Sequence, residues 1–219
     1  MSLTLIIGNK NYSSWSLRPW LLMKHAGLDF REIVIPLYRA DSRAAVLEYS
    51  PTGKVPALID GDLHMWDSLA ICEHIAEKTG FGWPKQPGAR ALARSVSAEM
   101  HSGFQSLREQ CPMNVRARKR VPRTADLARD VERAIAVWSE CRDRYGAGGP
   151  WLFGSFTIAD AMYAPVALRF NSYTIDVPAG TAAAYVATVA GDRYVADWRR
   201  AAQDELWLVE DTERVGEPV

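Results

Sequence analysis

The feature that most limits what this chain can fold into is a change of periodicity near residue 80. Before it, short β-branched and apolar runs alternate with helical patterns; beyond residue 88 nearly everything repeats at helical spacing. At 219 residues the chain has room for one large or two small domains, and the change marks a boundary between two. Residues 1–80 are taken as the first domain, 81–88 as a linker and 89–219 as the second.

In the first domain, residues 3–7 (LTLII) read as a buried strand, 13–26 as a helix closed by Gly27, and 32–37 as a second buried strand. Together they make a parallel βαβ unit. Residues 39–48 form a second helix. Strands at 56–59 and 63–66 then flank Asp60-Gly61, a dipeptide suited to the positive φ of a tight antiparallel turn. Asp67-Ser68 opens a helix through residue 78, so the order is βαβαββα. The linker composition, GFGWPKQPG, is turn-rich, with Trp83 placed to pin it.

In the second domain, Leu92, Val96, Met100, Phe104, Leu107 and Cys111 recur every three or four residues, which predicts one long amphipathic helix over 89–111 ended by Pro112. Another spans 125–145. Thr157 and Asp160 have the spacing of a capping box, and the run that follows is apolar nearly all round, as only a helix surrounded by others can be.

Lys plus Arg and Asp plus Glu each number 26, so no net field steers the chain toward nucleic acid or an anionic membrane. The basic run Arg116, Arg118, Lys119, Arg120 and Arg123 lacks interleaved aromatics and reads as a solvated loop. Three cysteines, Cys72, Cys111 and Cys141, form no CxxC pair, which argues against a disulfide framework and a metal site. The apolar run at 3–7 is too short for a secretory core or a membrane span, so a cytoplasmic location is expected.

Three motifs now stand in order: Ser13-Ser14-Trp15-Ser16-Leu17-Arg18, then Lys54-Val55-Pro56-Ala57-Leu58 leading to Asp67-Ser68-Leu69-Ala70-Ile71, then the cap from Gly154 to Asp160. In this arrangement the chain resembles the cytosolic glutathione transferases, with a thioredoxin-like α/β N-terminal domain followed by an all-α C-terminal domain. The first motif is most similar to the serine motif of the zeta class. The resemblance implies glutathione as co-substrate, no metal, a small-molecule electrophile, and a homodimer pairing the first domain of one subunit with the helical domain of the other.

A glutathione thiol is useful as its thiolate, which a hydroxyl stabilises by donating a hydrogen bond at the positive end of a helix. By resemblance Ser13 is that donor, with Ser14 and Tyr12 as rivals; any such serine also makes a good helix cap. Val55 and Pro56 match the family's cis-proline turn, whose backbone meets the cysteinyl part of the tripeptide. Ser68 and Asp67 match its γ-glutamyl end, and Lys54 is placed to reach the glycyl carboxylate. Arg18 strengthens the field near the sulfur or pairs with a carboxylate.

Two departures from the zeta motif fall where the second substrate would sit: Trp15 stands for a Cys and Asp67 for a Gln. Candidates for that substrate's side of the cleft are Trp15, His101, Phe104, Arg108 and Arg169, although His101 and Phe104 also suit plain packing. The expected reaction is thiolate attack on a hydrophobic electrophile. Alternatives are glutathione-dependent isomerisation of the maleylacetoacetate type and a non-catalytic interaction module on the same fold.

Overall fold

The computed structural model describes residues 3–219. Strand β1 (Leu3–Ile7) is an inner strand of a four-stranded sheet with order β2-β1-β3-β4. It pairs in parallel with β2 (Phe30–Val34) and antiparallel with β3 (Ala57–Asp60), which pairs antiparallel with β4 (Leu63–Trp66). Leu3, Leu5 and Ile7 enter the main core with residues of α1 (Ser14–His25) and α3 (Ser68–Thr79). Ile6 joins Ile35, Val46 and Ala57 in a smaller cluster with α2 (Ser42–Leu47). A strand covered on both faces has no polar side, which explains why Leu3, Leu5, Ile6 and Ile7 are apolar with Thr4 the one exception.

Two elements differ from their sequence reading. The strand expected at 32–37 lies at Phe30–Val34; one further amide, Ile35 N–H, still reaches Ile7 O at 2.9 Å before Pro36 ends the ladder. The helix expected at 39–48 is shorter. Tyr38 is left-handed (φ 61°), and Arg39 N–H donates to Ser42 Oγ at 2.8 Å, so residues 39–41 are spent entering α2.

Beyond the linker lie α4 (Pro87–Ser102), α5 (Gln105–Gln110), α6 (Ala125–Tyr145), α7 (Ile158–Ser172), α8 (Thr181–Gly191), α9 (Arg193–Gln203) and the short α10 (Glu210–Glu213). A two-stranded ribbon joins β5 (Lys119–Arg120) to β6 (Glu217–Pro218). The single helix expected over 89–111 is two. Gly103 has extended backbone where a Cβ would meet Glu99 O at 2.9 Å, and Phe104 is left-handed at φ 60°. Met100, Phe104, Leu107 and Cys111 are all buried nonetheless, so the apolar rhythm runs straight through the break and conceals it. Asp130 of α6 accepts from Leu107 N–H at 2.9 Å, capping α5 from outside.

Helix α7 is buried along its whole length apart from Asn171. Asp160 is fully buried at its start: Oδ2 accepts from Thr157 N–H (2.8 Å) and Thr157 Oγ1–H (2.7 Å), and Oδ1 from Leu152 N–H (2.9 Å). The linker is fastened here too, through Ile158 N–H to Gly82 O at 2.8 Å, and Trp83 donates to Glu73 at 2.8 Å. One core continues across both domains, from Leu5, Leu21 and Ile71 to Val131, Trp138 and Tyr163. No described helix is long and apolar enough to cross a membrane.

Asp160→Asn turns an amide N–H₂ toward one of the donors that Asp160 now accepts from. Leaving a buried donor unpaired costs about 1–3 kcal/mol, so the urea midpoint is expected to fall by an equivalent amount with unchanged slope. An unshifted midpoint would show that the box contributes nothing net.

Candidate active site

The loop between β1 and α1 is a closed turn in which Asn9 O accepts from Tyr12 N–H (3.1 Å) and Ser13 N–H (2.8 Å). It delivers Ser13 to the N-cap of α1, where its Oγ accepts from Ser16 N–H at 3.4 Å. The Ser13 hydroxyl also donates to Ser16 Oγ at 2.7 Å, and Ser16 Oγ accepts from Gly8 N–H as well, at 3.1 Å. Ser16 therefore backs Ser13. It carries no sequence signal of its own, since only the return of the helix past the strand end brings it there.

The two rivals are differently engaged. Ser14 Oγ accepts from Arg169 Nη2 at 3.3 Å and faces the helical domain. Tyr12 donates its hydroxyl to Glu213 Oε1 at 2.6 Å and accepts from Arg116 Nη2 at 3.0 Å. Burial and the Glu213 carboxylate both push the Tyr12 phenol above its ordinary pKa.

Two adjoining hollows meet at Trp15, Lys54 and Val55. One, about 420 Å³, is walled by Tyr12 and Ser13 on one side and by Arg39, Arg43 and Lys54 on the other. The second, about 560 Å³, is walled by Pro56, Trp66, Asp67, Ser68 and His101. Each is of ligand-binding size. The Val55–Pro56 peptide is cis. Thus one hollow offers cations, and the other ends at the N-terminus of α3 with a carboxylate beside it.

Asp67 shapes that second end. It has φ 75°, a region that a non-glycine residue enters at a cost of order 1–3 kcal/mol. Its Oδ1 accepts from Leu69 N–H (2.9 Å) and Ala70 N–H (3.1 Å), while Oδ2 lies 3.1 Å from His101 Nε2. Burial, followed by the nearby Arg18 and Arg108 cations, outweighs Asp67 and lowers the His101 pKa. Ser68 is buried and accepts from Arg18 Nη1 at 3.3 Å.

Trp15 stands at the junction. Guanidinium carbons of Arg18 and Arg108 lie 4.1 and 4.6 Å from its ring centroid, and His101 meets it edge-on at 5.4 Å. Arg18 is 1% exposed, and no described carboxylate comes within ion-pair distance of Arg18, Arg108 or Arg169. Burial first, then Arg108 and Arg169, pull the Arg18 pKa down to about 9. Arg169 is likewise brought to about 10, and spends its donors on Cys111 O (2.7 Å), Pro165 O (3.2 Å) and Ser14. Arg108 donates to His101 O at 3.0 Å.

Of the candidates named from sequence, the hollows therefore gather Tyr12, Ser13, Trp15, Lys54, Val55, Pro56, Asp67, Ser68 and His101. Arg108 lies against Trp15, while Ser14, Arg169 and Phe104, whose ring packs edge-on to Tyr163, belong to the seam and the core. All three cysteines are buried; burial raises Cys72 far above the usual range and Cys111 and Cys141 to about 12. No thiol of the chain is poised to react.

The family profile described as glutathione S-transferase, N-terminal domain, matches residues 12–78, and that described as glutathione S-transferase, C-terminal domain, matches 122–203. A probable maleylacetoacetate isomerase of Caenorhabditis elegans is 27% identical over 169 residues, 75% of this chain and 77% of that protein. Glutathione S-transferase 1 of Zea mays is 39% identical over 67 residues, 30% of this chain and 31% of its own length. The match to such plant relatives spans about a third of them. Among solved structures, a glutathione transferase homolog from Burkholderia gl BGR1, with bound glutathione, superposes with a TM-score of 0.71 at 22% identity, covering 94% of this chain and 100% of that one.

A buried cation without a carboxylate partner is a stability cost that an apolar side chain of similar length removes. Arg18→Met is expected to hold or raise the urea midpoint at neutral pH, since Met can pack against Trp15. A fall of more than about 1 kcal/mol would mean that stacking and the Ser68 bond outweigh desolvation.

Proposed function

The chain belongs to the glutathione S-transferase superfamily, and on that footing we propose that it binds glutathione across the two hollows and holds the thiolate with the Ser13 hydroxyl for attack on a hydrophobic electrophile. In this reading the glycyl carboxylate lies toward Lys54 and its arginine neighbours. The cysteinyl part runs along Val55, and the γ-glutamyl group ends at Ser68 and Asp67, carboxylate to the α3 N-terminus and ammonium to the acid.

The observation that carries the reading is the different engagement of neighbouring hydroxyls. Tyr12 is held by a carboxylate and Ser14 by Arg169, whereas Ser13 lines the cleft at the positive end of α1. Its oxygen has Ser16 behind it at 2.7 Å. Within the chain the Ser13 hydroxyl donates to Ser16 Oγ; in this reading it rotates to the thiolate, whose negative charge makes it the stronger acceptor, while the Gly8 amide holds Ser16 in place. The thiolate then forms a carbon–sulfur bond while the electrophile's leaving group departs, and proximity in the cleft supplies much of the rate.

A free thiol has a pKa of about 8.5, and a hydrogen bond to a charged acceptor is worth about 1.5–3 kcal/mol, equivalent to roughly one to two pKa units. Ser13→Ala is therefore expected to raise the thiol pKa of bound glutathione by about that much, read from thiolate absorbance, and to lower kcat/KM about 10- to 100-fold. Tyr12→Phe should leave the thiol pKa in place. An unmoved pKa in Ser13→Ala would defeat the assignment, and failure of the protein to bind immobilised glutathione would favour an interaction module.

The isomerase relative, matched over three-quarters of this chain, supports a second reading in which the same thiolate adds to and leaves a cis-dienoic diketo acid. Turnover of such an acid, rising in Trp15→Cys, is its expected signature; no turnover in either protein would dismiss it. Both readings take the protein as a cytoplasmic homodimer, a stoichiometry that sedimentation equilibrium measures.

A further inference from the structure

The turn that carries Ser13 is gripped by a carboxylate from the far end of the chain. Glu205, two residues beyond α9, accepts from Lys10 N–H at 2.6 Å through Oε1 and from Asn11 N–H at 3.1 Å through Oε2. Both oxygens are used, and both on main-chain amides. Glu205 is itself anchored, because its carbonyl accepts from Arg116 Nη1 at 2.8 Å. Several other polar atoms of the turn are also held, although Asn9 Nδ2 is buried without a partner. Lys10 O accepts from Trp198 Nε1 at 2.7 Å, Asn11 Oδ1 from Arg116 N–H at 3.0 Å, and Asn9 Oδ1 from Leu37 N–H at 2.7 Å.

Lys10 and Asn11 are the outer residues of the turn closed by Asn9 O, and hence those least restrained by it. Their amides are bonded to Glu205, which lines neither hollow, so what holds them sets the tilt of the turn and the place where Ser13 enters α1. That place matters at the scale of a bond. Ser13 Oγ has Ser16 Oγ at 2.7 Å on one side and the cleft on the other, and a displacement of about 1 Å at a reacting centre costs up to about a hundredfold in rate.

We propose that Glu205 is a positioning residue for Ser13, its carboxylate clamping the Lys10 and Asn11 amides so that the serine hydroxyl meets the glutathione sulfur. This rests on the assignment of Ser13 as thiolate donor. The residues taken to seat the peptide, Val55 and Ser68, lie just before β3 and at the start of α3, and neither is bonded to the clamp. Loss of Glu205 therefore disturbs the sulfur contact more than peptide binding. Charge alone acts in the opposite sense: removing an anion near the site lowers a thiol pKa, whereas displacing the donor raises it.

The experiment compares Glu205→Ala, Glu205→Gln, Ser13→Ala and the double variant Ser13→Ala/Glu205→Ala. It reads the thiol pKa of bound glutathione, kcat and the KM for glutathione. In Glu205→Ala the thiol pKa is expected to rise toward that of Ser13→Ala and kcat to fall about tenfold, with the glutathione KM within about twofold. Glu205→Gln, whose amide oxygen keeps one of the two bonds, should lie between, and Glu205→Ala should add nothing to the thiol pKa once Ser13 is absent. If Glu205→Ala does not fold, the exchange rates of the Lys10 and Asn11 amides in Glu205→Gln serve instead, expected to rise together with the thiol pKa. The proposal is overturned if Ser13→Ala raises the thiol pKa while loss of Glu205 leaves it unmoved or lowers it, or if the double variant exceeds Ser13→Ala. An unmoved pKa in Ser13→Ala removes the parent assignment itself.

Discussion

Helix α1 is a member of two packing layers at once. On one side it packs against α3 of the sheet domain, and on the other against α7 and α9 of the helical domain. Leu17, Trp20, Leu21, Leu22 and Met23 are all at most 3% exposed. A helix enclosed in this way cannot shift relative to either domain without opening apolar surface, at roughly 25 cal/mol per Å². Its N-terminus is therefore a fixed point at the seam, and that is where Ser13 and Ser14 sit, one facing the cleft and one tied to Arg169 of α7.

The electrostatics of the seam follow from the same enclosure. Arg18 and Arg169 are carried into it by α1 and α7, and Arg108 approaches from α5. Burial first, and then repulsion from the neighbouring guanidinium groups, lowers the pKa of Arg18 and Arg169. The resulting excess of positive charge sits behind Trp15 and beneath Ser68. The chain's own thiols stay protonated in apolar surroundings.

Much of this is legible in the sequence, for reasons that differ by element. β1, β4 and α6 are readable to the residue because an apolar run, a turn signal and a helical repeat mark both of their ends. That Ser13, Val55, Pro56 and Ser68 line one cleft is readable because a motif carries each of them. The α4–α5 break is not, since Met100 and Phe104 keep helical spacing while the backbone at Gly103 leaves the helix. Glu205, Glu213 and Arg116 are unreadable for another reason: they act on residues 10–12 from 104 or more positions away, and charged residues outside any motif give no hint of such a partner.

The continuity of the core from Leu5 to Trp138 limits how this chain can be re-engineered. The linker looks like a natural seam for recombination, yet severing it would strip α1 of α7 and leave the sheet with an uncovered greasy flank. Exchange of the helical half for a relative's would succeed only if the donor brought matching side chains for α1 to rest on. The packing unit is both halves together, joined through α1.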